Sequence, residues 1–181
     1  MLTRRIVTLA GITAGCVLAV AAPGSTNSSS VARCQRLQLQ LAASFYGEAG
    51  GQFIQTFTFT NISRRVCRVG GWPTFEIEVA SHRPLPVRTR RVVQGPLRAR
   101  PFASVLLRAR SAASFDVYGA DWDFLRNRAC PRATAALVTP AGGRVALRVG
   151  VRIPNCPGGF DIAPVIAGAT DRQSWSFVWH P

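Results

Sequence analysis

The sequence has no lysine: all 22 basic residues are arginine, set against only eight acids. GC-rich codons account for a chain heavy in Arg, Ala, Gly, Val and Pro. The functional alternative is recognition of phosphate or carboxylate, to which the planar guanidinium offers two parallel hydrogen bonds. Histidine is nearly absent too. His82 and His180 are the only two, and neither sits in a serine-elbow or Cys-His context. A hydrolase would have to couple His82 with Asp121 or Asp123, because a nucleophile needs a base and an orienting group. No C-x-x-C spacing exists, which argues against a zinc site built on clustered soft ligands. No glycine loop cradles phosphate; Gly50-Gly51 and Gly142-Gly143 are hairpin signals. The expectation is a protein without catalytic residues, metal or cofactor. Two acid pairs remain. Asp121 and Asp123 flank Trp122, where a turn could hold calcium or a sugar, and Glu76 and Glu78 share the solvent face of a strand. Salt bridges to the surplus arginines are the simpler role for both.

What is present begins with an export signal. Arg4 and Arg5 precede an uncharged apolar run over residues 6–22, and Ala19-Val20-Ala21 puts small residues at −3 and −1 of a cleavage site before Ala22. These are the three parts of a secretory signal, and the arginines hold its start on the cytoplasmic side. Residues 1–22 are read as signal peptide, 23–32 as a flexible polar spacer and 33–181 as one domain. The run of roughly 17 residues also approaches the length of a membrane span, and Thr13-Ala14-Gly15-Cys16 has the outline of a lipid-attachment box. A membrane-tethered form, through an uncleaved segment or lipidated Cys16, is the alternative to a secreted one. Cleavage lowers the formal charge of +14 by two, which leaves a strongly basic domain attracted to anionic surfaces. Asn27-Ser28-Ser29 and Asn61-Ile62-Ser63 match the glycan acceptor pattern and are read as chance.

Four cysteines follow the signal: Cys34, Cys67, Cys130 and Cys156. An even number in an exported chain implies two disulfides. Three pairings are open, and Cys34–Cys67 with Cys130–Cys156 is favoured because each pair brackets a compact group of strands. The apolar alternation is that of β-structure. Leu37, Leu39 and Leu41 form one half-buried face. Phe53, Phe57 and Phe59 form a second, opposite Thr56, Thr58 and Thr60, with a turn over residues 47–51 between the two runs. Phe75, Ile77 and Val79 alternate with Glu76 and Glu78. Phe115 and Val117 oppose Asp116 and Tyr118. Ala133, Ala135 and Leu137 form another run, and Val145, Leu147, Val149, Val151 and Ile153 alternate with Arg148 and Arg152. Residues 120–127 are the only helical candidate. About eight short strands separated by turn signals predict an all-β fold, an Ig-like β-sandwich.

The order of motifs adds a resemblance. Cys34 precedes the first strand; Gly47-Glu48-Ala49-Gly50-Gly51, Phe59-Thr60-Asn61 and Cys67-Arg68-Val69-Gly70-Gly71-Trp72-Pro73 follow. With the run from Arg110 to Tyr118, then Cys130, Cys156 and Ile162-Ala163-Pro164, this resembles the actinobacterial exported family catalogued as domain of unknown function 4232. A glycine is usual in that family where Ser111 stands, and a tyrosine is frequent where Trp72 stands. The resemblance spans Cys34 to Pro164. It implies export, a β-sandwich with paired cysteines, and no activity.

Two stretches stand outside the strand pattern. Residues 81–110 are rich in arginine and proline and contain no acid, and they read as loop and edge strands. Arg88, Arg90, Arg91, Arg98 and Arg100 there make the expected anion-facing patch, with an envelope phospholipid or wall polymer as partner and nucleic acid set aside because the chain is exported. Near the C-terminus Trp175, Phe177 and Trp179 share one face, either a last core strand or a strip for another envelope protein.

Overall fold

The computed structural model describes residues 31–80, 83–93 and 104–169. These make an all-β domain with a single 3-10 turn at Arg36–Gln38 and no α-helix among the described residues. In chain order the strands are β1 (Leu39–Ala49), β2 (Gln52–Asn61), β3 (Cys67–Val69), β4 (Thr74–Glu78), β5 (Pro84–Leu85), β6 (Thr89–Arg91) and β7 (Val105–Leu107). Then come β8 (Ala112–Ala120), β9 (Trp122–Asp123), β10 (Arg128–Ala129), β11 (Ala135–Thr139), β12 (Leu147–Gly150), β13 (Phe160–Ile162) and β14 (Ile166–Ala167). The larger sheet runs β1-β2-β8-β13-β6, with β14 also on β8; a second runs β12-β11-β4-β5; β3-β7 and β9-β10 are two-stranded. Of these pairings only β13 with β6 is parallel.

Phenylalanine spacing builds the core. Phe57 and Phe59 sit two apart on β2 and point to one face, where they meet Phe115 of the neighbouring β8 at ring separations of 5.3 and 5.5 Å. Phe75 of β4 closes on Phe57 at 5.7 Å and on Phe160 at 5.3 Å. Rings from the two larger sheets therefore interlock. Offset and edge-on aromatic pairs add to the burial that drives them together. The β1–β2 connection is tighter than the glycine-rich stretch predicts: Gly47 to Ala49 continue the strand, and only Gly50 and Gly51 turn. Their φ values of 60° and 80° are those a two-residue hairpin demands and glycine supplies without strain.

Several expectations fail, each for a physical reason. Leu37 is not in the first strand; it lies in the 3-10 turn and is 84% exposed. The 3-10 turn is closed by Gln38, whose backbone N–H donates to the Gln35 carbonyl while its side chain accepts from the Gln35 N–H. The Ala135/Leu137 phase is also inverted. Ala136 and Val138 enter the core, because they stand opposite Ile77 and Phe75 of β4 and cross-strand partners share a face. Both phases of that segment are apolar, so alternation could not choose. Residues 120–127 form no helix; β9 and β10 pair there as a small hairpin. Val145 precedes β12 and is 52% exposed. Asp116 lies opposite the phenylalanine face as expected, yet it is fully buried. It accepts hydrogen bonds from the Thr56 hydroxyl at 2.6 Å and the Tyr118 hydroxyl at 3.1 Å, as a buried carboxylate requires.

The hairpin end of the domain is a zone of paired charge. The Arg132 guanidinium donates to Glu48 at 2.6 Å, to the Tyr46 hydroxyl at 2.9 Å and to the Arg152 carbonyl at 2.8 Å. Tyr46 also donates to Glu48. Cys130–Cys156 closes this end, and Arg126 holds Asp123 at 2.8 Å. The hydrogen bond from Tyr46 lowers the pKa of Glu48. Partial burial, followed by the hydrogen bond to Glu48, pushes the Tyr46 hydroxyl from 10.0 up to about 12.

Two measurements check this architecture. Phe115→Ala is expected to cost about 3–5 kcal/mol in denaturant unfolding, and an unchanged midpoint would contradict the shared ring core. In a Tyr118→Phe background, ultraviolet titration should show Tyr46 ionising near pH 12 rather than 10. Because the native state favours the neutral hydroxyl, this contact's stabilisation is complete below the unfolded value and fades as pH rises through the folded one. A transition at the ordinary tyrosine position would remove the Tyr46–Glu48 bond from the account.

Candidate functional site

The arginines that sequence reading singled out lie on an edge strand and are partly engaged. Arg88 is exposed just before β6. Its carbonyl accepts from Phe160 N–H at 2.9 Å as β6 joins the sheet. Arg90 forks onto Asp161, Nε to Oδ1 at 2.7 Å and a second nitrogen to Oδ2 at 3.1 Å. Arg91 lies 5.9 Å over the Trp72 ring, and the Trp72 indole N–H donates to the Val92 carbonyl. Arg98 and Arg100 lie outside the described residues, as do His82, His180 and the Trp175/Phe177/Trp179 strip. The stretch does supply edges, since β5 and β6 each end a sheet. As an anion site it is weakened, because Asp161 already occupies the fork of Arg90. Among the acids, Glu78 is buried against Arg148 at 2.8 Å. The hydrogen bond from Arg126 holds Asp123 below the usual carboxylate range.

A different cluster forms at the end of the domain opposite the Gly50-Gly51 turn, where four segments distant in sequence converge. The first, residues 31–38, carries Arg33 and Arg36. The second, residues 61–68, carries Arg64, Arg65 and Arg68. The third, residues 104–111, carries Arg108 and Arg110, and the fourth, residues 140–146, carries Arg144. None of the four contains Asp or Glu, and among the described residues none of these eight arginines forms an ion pair. All but Arg68, which is half-buried, are exposed.

The convergence has identifiable causes. Cys34–Cys67 bonds the first segment to the second. Beside it the Cys34 N–H donates to the Arg68 carbonyl and the Arg68 N–H to the Ala32 carbonyl, both at 3.0 Å. Asn61 ties in the third segment. It is fully buried, and its amide donates to the carbonyls of Arg65 at 2.8 Å and Leu107 at 2.9 Å, while its oxygen accepts from Ser63. That engaged amide cannot receive a glycan, so the acceptor pattern at Asn61 has a structural role. Arg33 reaches the fourth segment, donating to the Ala141 carbonyl at 3.2 Å. Its guanidinium lies where a Cβ on Gly142 would stand, 1.2 Å away, so position 142 must be glycine for this contact. Gly142 also has φ of 74°.

Two recesses flank Arg33. One of about 240 Å³ is lined by Arg33, Arg68, Gly70, Gly71, Ser104 and Ala141. The other, about 440 Å³, lies between Arg33, Arg36 and Arg144, with Gly142 and Gly143 in its wall. Guanidinium groups converging on a recess that holds no carboxylate can accept phosphate or carboxylate through charge-assisted hydrogen bonds. Among the described residues that line the two recesses, Ser104 carries the one hydroxyl, and no histidine or carboxylate stands with it. Gly142-Gly143, read from sequence as a hairpin signal, does lie in the connection of the β11–β12 hairpin, and it also forms wall and contact for the arginines. Arg33 and Arg68 adjoin the two cysteines, so the favoured disulfide pairing already contained the signal that would have found them.

Replacing Cys34 and Cys67 together by serine should cost about 3–4 kcal/mol in reversible unfolding, given the loop entropy released over a separation of 33 residues. Unaltered stability would mean that the flanking hydrogen bonds alone hold this end together. No family model, curated protein or solved structure matches the chain.

Proposed function

We propose that this chain is an exported module of the cell envelope, an Ig-like β-sandwich without catalytic function, that binds an anionic envelope component through its arginine end. The observation that carries the reading is the convergence of four acid-free segments that carry eight arginines, four of which, Arg33, Arg36, Arg68 and Arg144, line two recesses. Like charges gathered without counter-charge repel one another, and an anionic partner relieves that repulsion. The sandwich reading draws on the interlocked rings of Phe57, Phe75 and Phe160 between the two larger sheets. Two disulfides mark an oxidising compartment, and the signal-like start of the sequence agrees with export. Among the described residues no helix is long and apolar enough to cross a membrane. The ordered motifs from Cys34 to Pro164, which resemble domain of unknown function 4232, point the same way.

Binding of the protein to anionic liposomes or isolated wall polymer should weaken steeply as sodium chloride is raised, because exposed charges are screened beyond about 10 Å at 0.1 M salt. Retention that does not change with salt would overturn the electrostatic reading.

A further inference from the structure

The arginine end also carries exposed apolar side chains. Leu37 is 84% exposed, Ile62 58%, Leu106 57%, Val145 52% and Val66 48%. Each belongs to one of the four converging segments. Leu37 follows Arg36 directly, Val145 follows Arg144 and lines the larger recess, and Leu106 pairs with Arg68 across β3 and β7. Single exposed apolar residues are ordinary on a protein surface. Five interspersed with eight arginines that form no ion pair among the described residues, in segments without an acid, are not.

We propose that this face docks on an anionic lipid bilayer, an inference that rests on the anion-binding reading and narrows it to one partner. A soluble polyanion would neutralise the arginines and leave Leu37 and Val145 in water. A bilayer satisfies both groups: phosphodiester headgroups meet the guanidinium forks, and aliphatic side chains enter the boundary between headgroups and acyl chains. The recess between Arg36 and Arg144 takes the headgroup phosphate, with Leu37 and Val145 beside it as anchors. The face is already shaped, since the Cys34–Cys67 bond and the Asn61 hydrogen bonds fix the segments that carry it. Val31 is also held at this face: the Arg68 Nε donates to its carbonyl at 2.8 Å.

The test uses the protein as recovered from its host, with vesicles of phosphatidylcholine alone and of phosphatidylcholine with phosphatidylglycerol, read by co-sedimentation. The difference between the two vesicles isolates the anion-dependent part whatever the state of the N-terminus. Soluble polyphosphate serves as the second ligand. Parent protein should favour the phosphatidylglycerol vesicles. Arg36→Gln and Arg144→Gln should each weaken that binding about fivefold, and should weaken polyphosphate binding as well. Leu37→Ser and Val145→Ser should each weaken vesicle binding about fivefold and leave polyphosphate binding unchanged. Leu125→Ser, 94% exposed at the other end, should change neither. All five substituted side chains are exposed, so thermal melts should match the parent. If the two serine variants bind vesicles as the parent does while the glutamine variants lose both ligands, the bilayer inference falls and anion binding stands. If phosphatidylglycerol gives no advantage and polyphosphate does not bind, both fall.

Discussion

The Cys34–Cys67 bond holds a like-charged end of the domain together. Eight arginines in four short segments repel one another with no carboxylate in those segments to offset it. Water and salt weaken that repulsion without removing it. A covalent link across 33 residues, reinforced by backbone bonds between Ala32, Cys34 and Arg68 and by the buried Asn61 amide, keeps the segments in register. Loops of this composition would separate without such ties. The placement of the first two segments, and with them Arg33 and Arg68 beside the recesses, rests on that staple.

The two ends of the domain contrast. Around the Gly50-Gly51 turn Glu48 is answered by Arg132 and Tyr46, and Asp123 by Arg126. On the edge strand Arg90 is answered by Asp161. At the Asn61 end nothing within the four segments answers the arginines. Between the ends lies a core of interlocked rings, Phe57, Phe59, Phe75, Phe115 and Phe160, which makes the domain a firm base for its loops. Firm strands carrying functional loops at one end are a common division of labour in β-proteins. The proposed presentation of arginine loops to an anionic surface fits that division.

Much of the fold was legible in the sequence, and the reasons are local. Leu39 and Leu41, Phe53 to Phe59 and Phe115 with Val117 announce strands by strict alternation, and Gly50-Gly51 announces a hairpin. Where alternation is ambiguous, tertiary pairing decides: Ala136 and Val138 face the core because Ile77 and Phe75 stand opposite. Leu37 was misread because a 3-10 turn occupies Arg36–Gln38 and the strand begins only at Leu39. The site was far less legible. Sequence reading favours contiguous charge, and so it chose Arg88, Arg90 and Arg91. The face at the Asn61 end is assembled from two pairs of arginines, one triplet and a single arginine, spread over more than a hundred residues from Arg33 to Arg144. Only the fold makes them neighbours, and only the cysteines flanking Arg33 and Arg68 hint at it.

The most direct test of the account is hydrogen exchange, followed by mass spectrometry, of the protein with and without phosphatidylglycerol vesicles. The account predicts added protection in residues 31–38, 61–68, 104–111 and 140–146, with residues 47–52 and 121–134 unchanged. Protection confined to the edge strand around Arg88 to Arg91, or to the Gly50-Gly51 end, would contradict it.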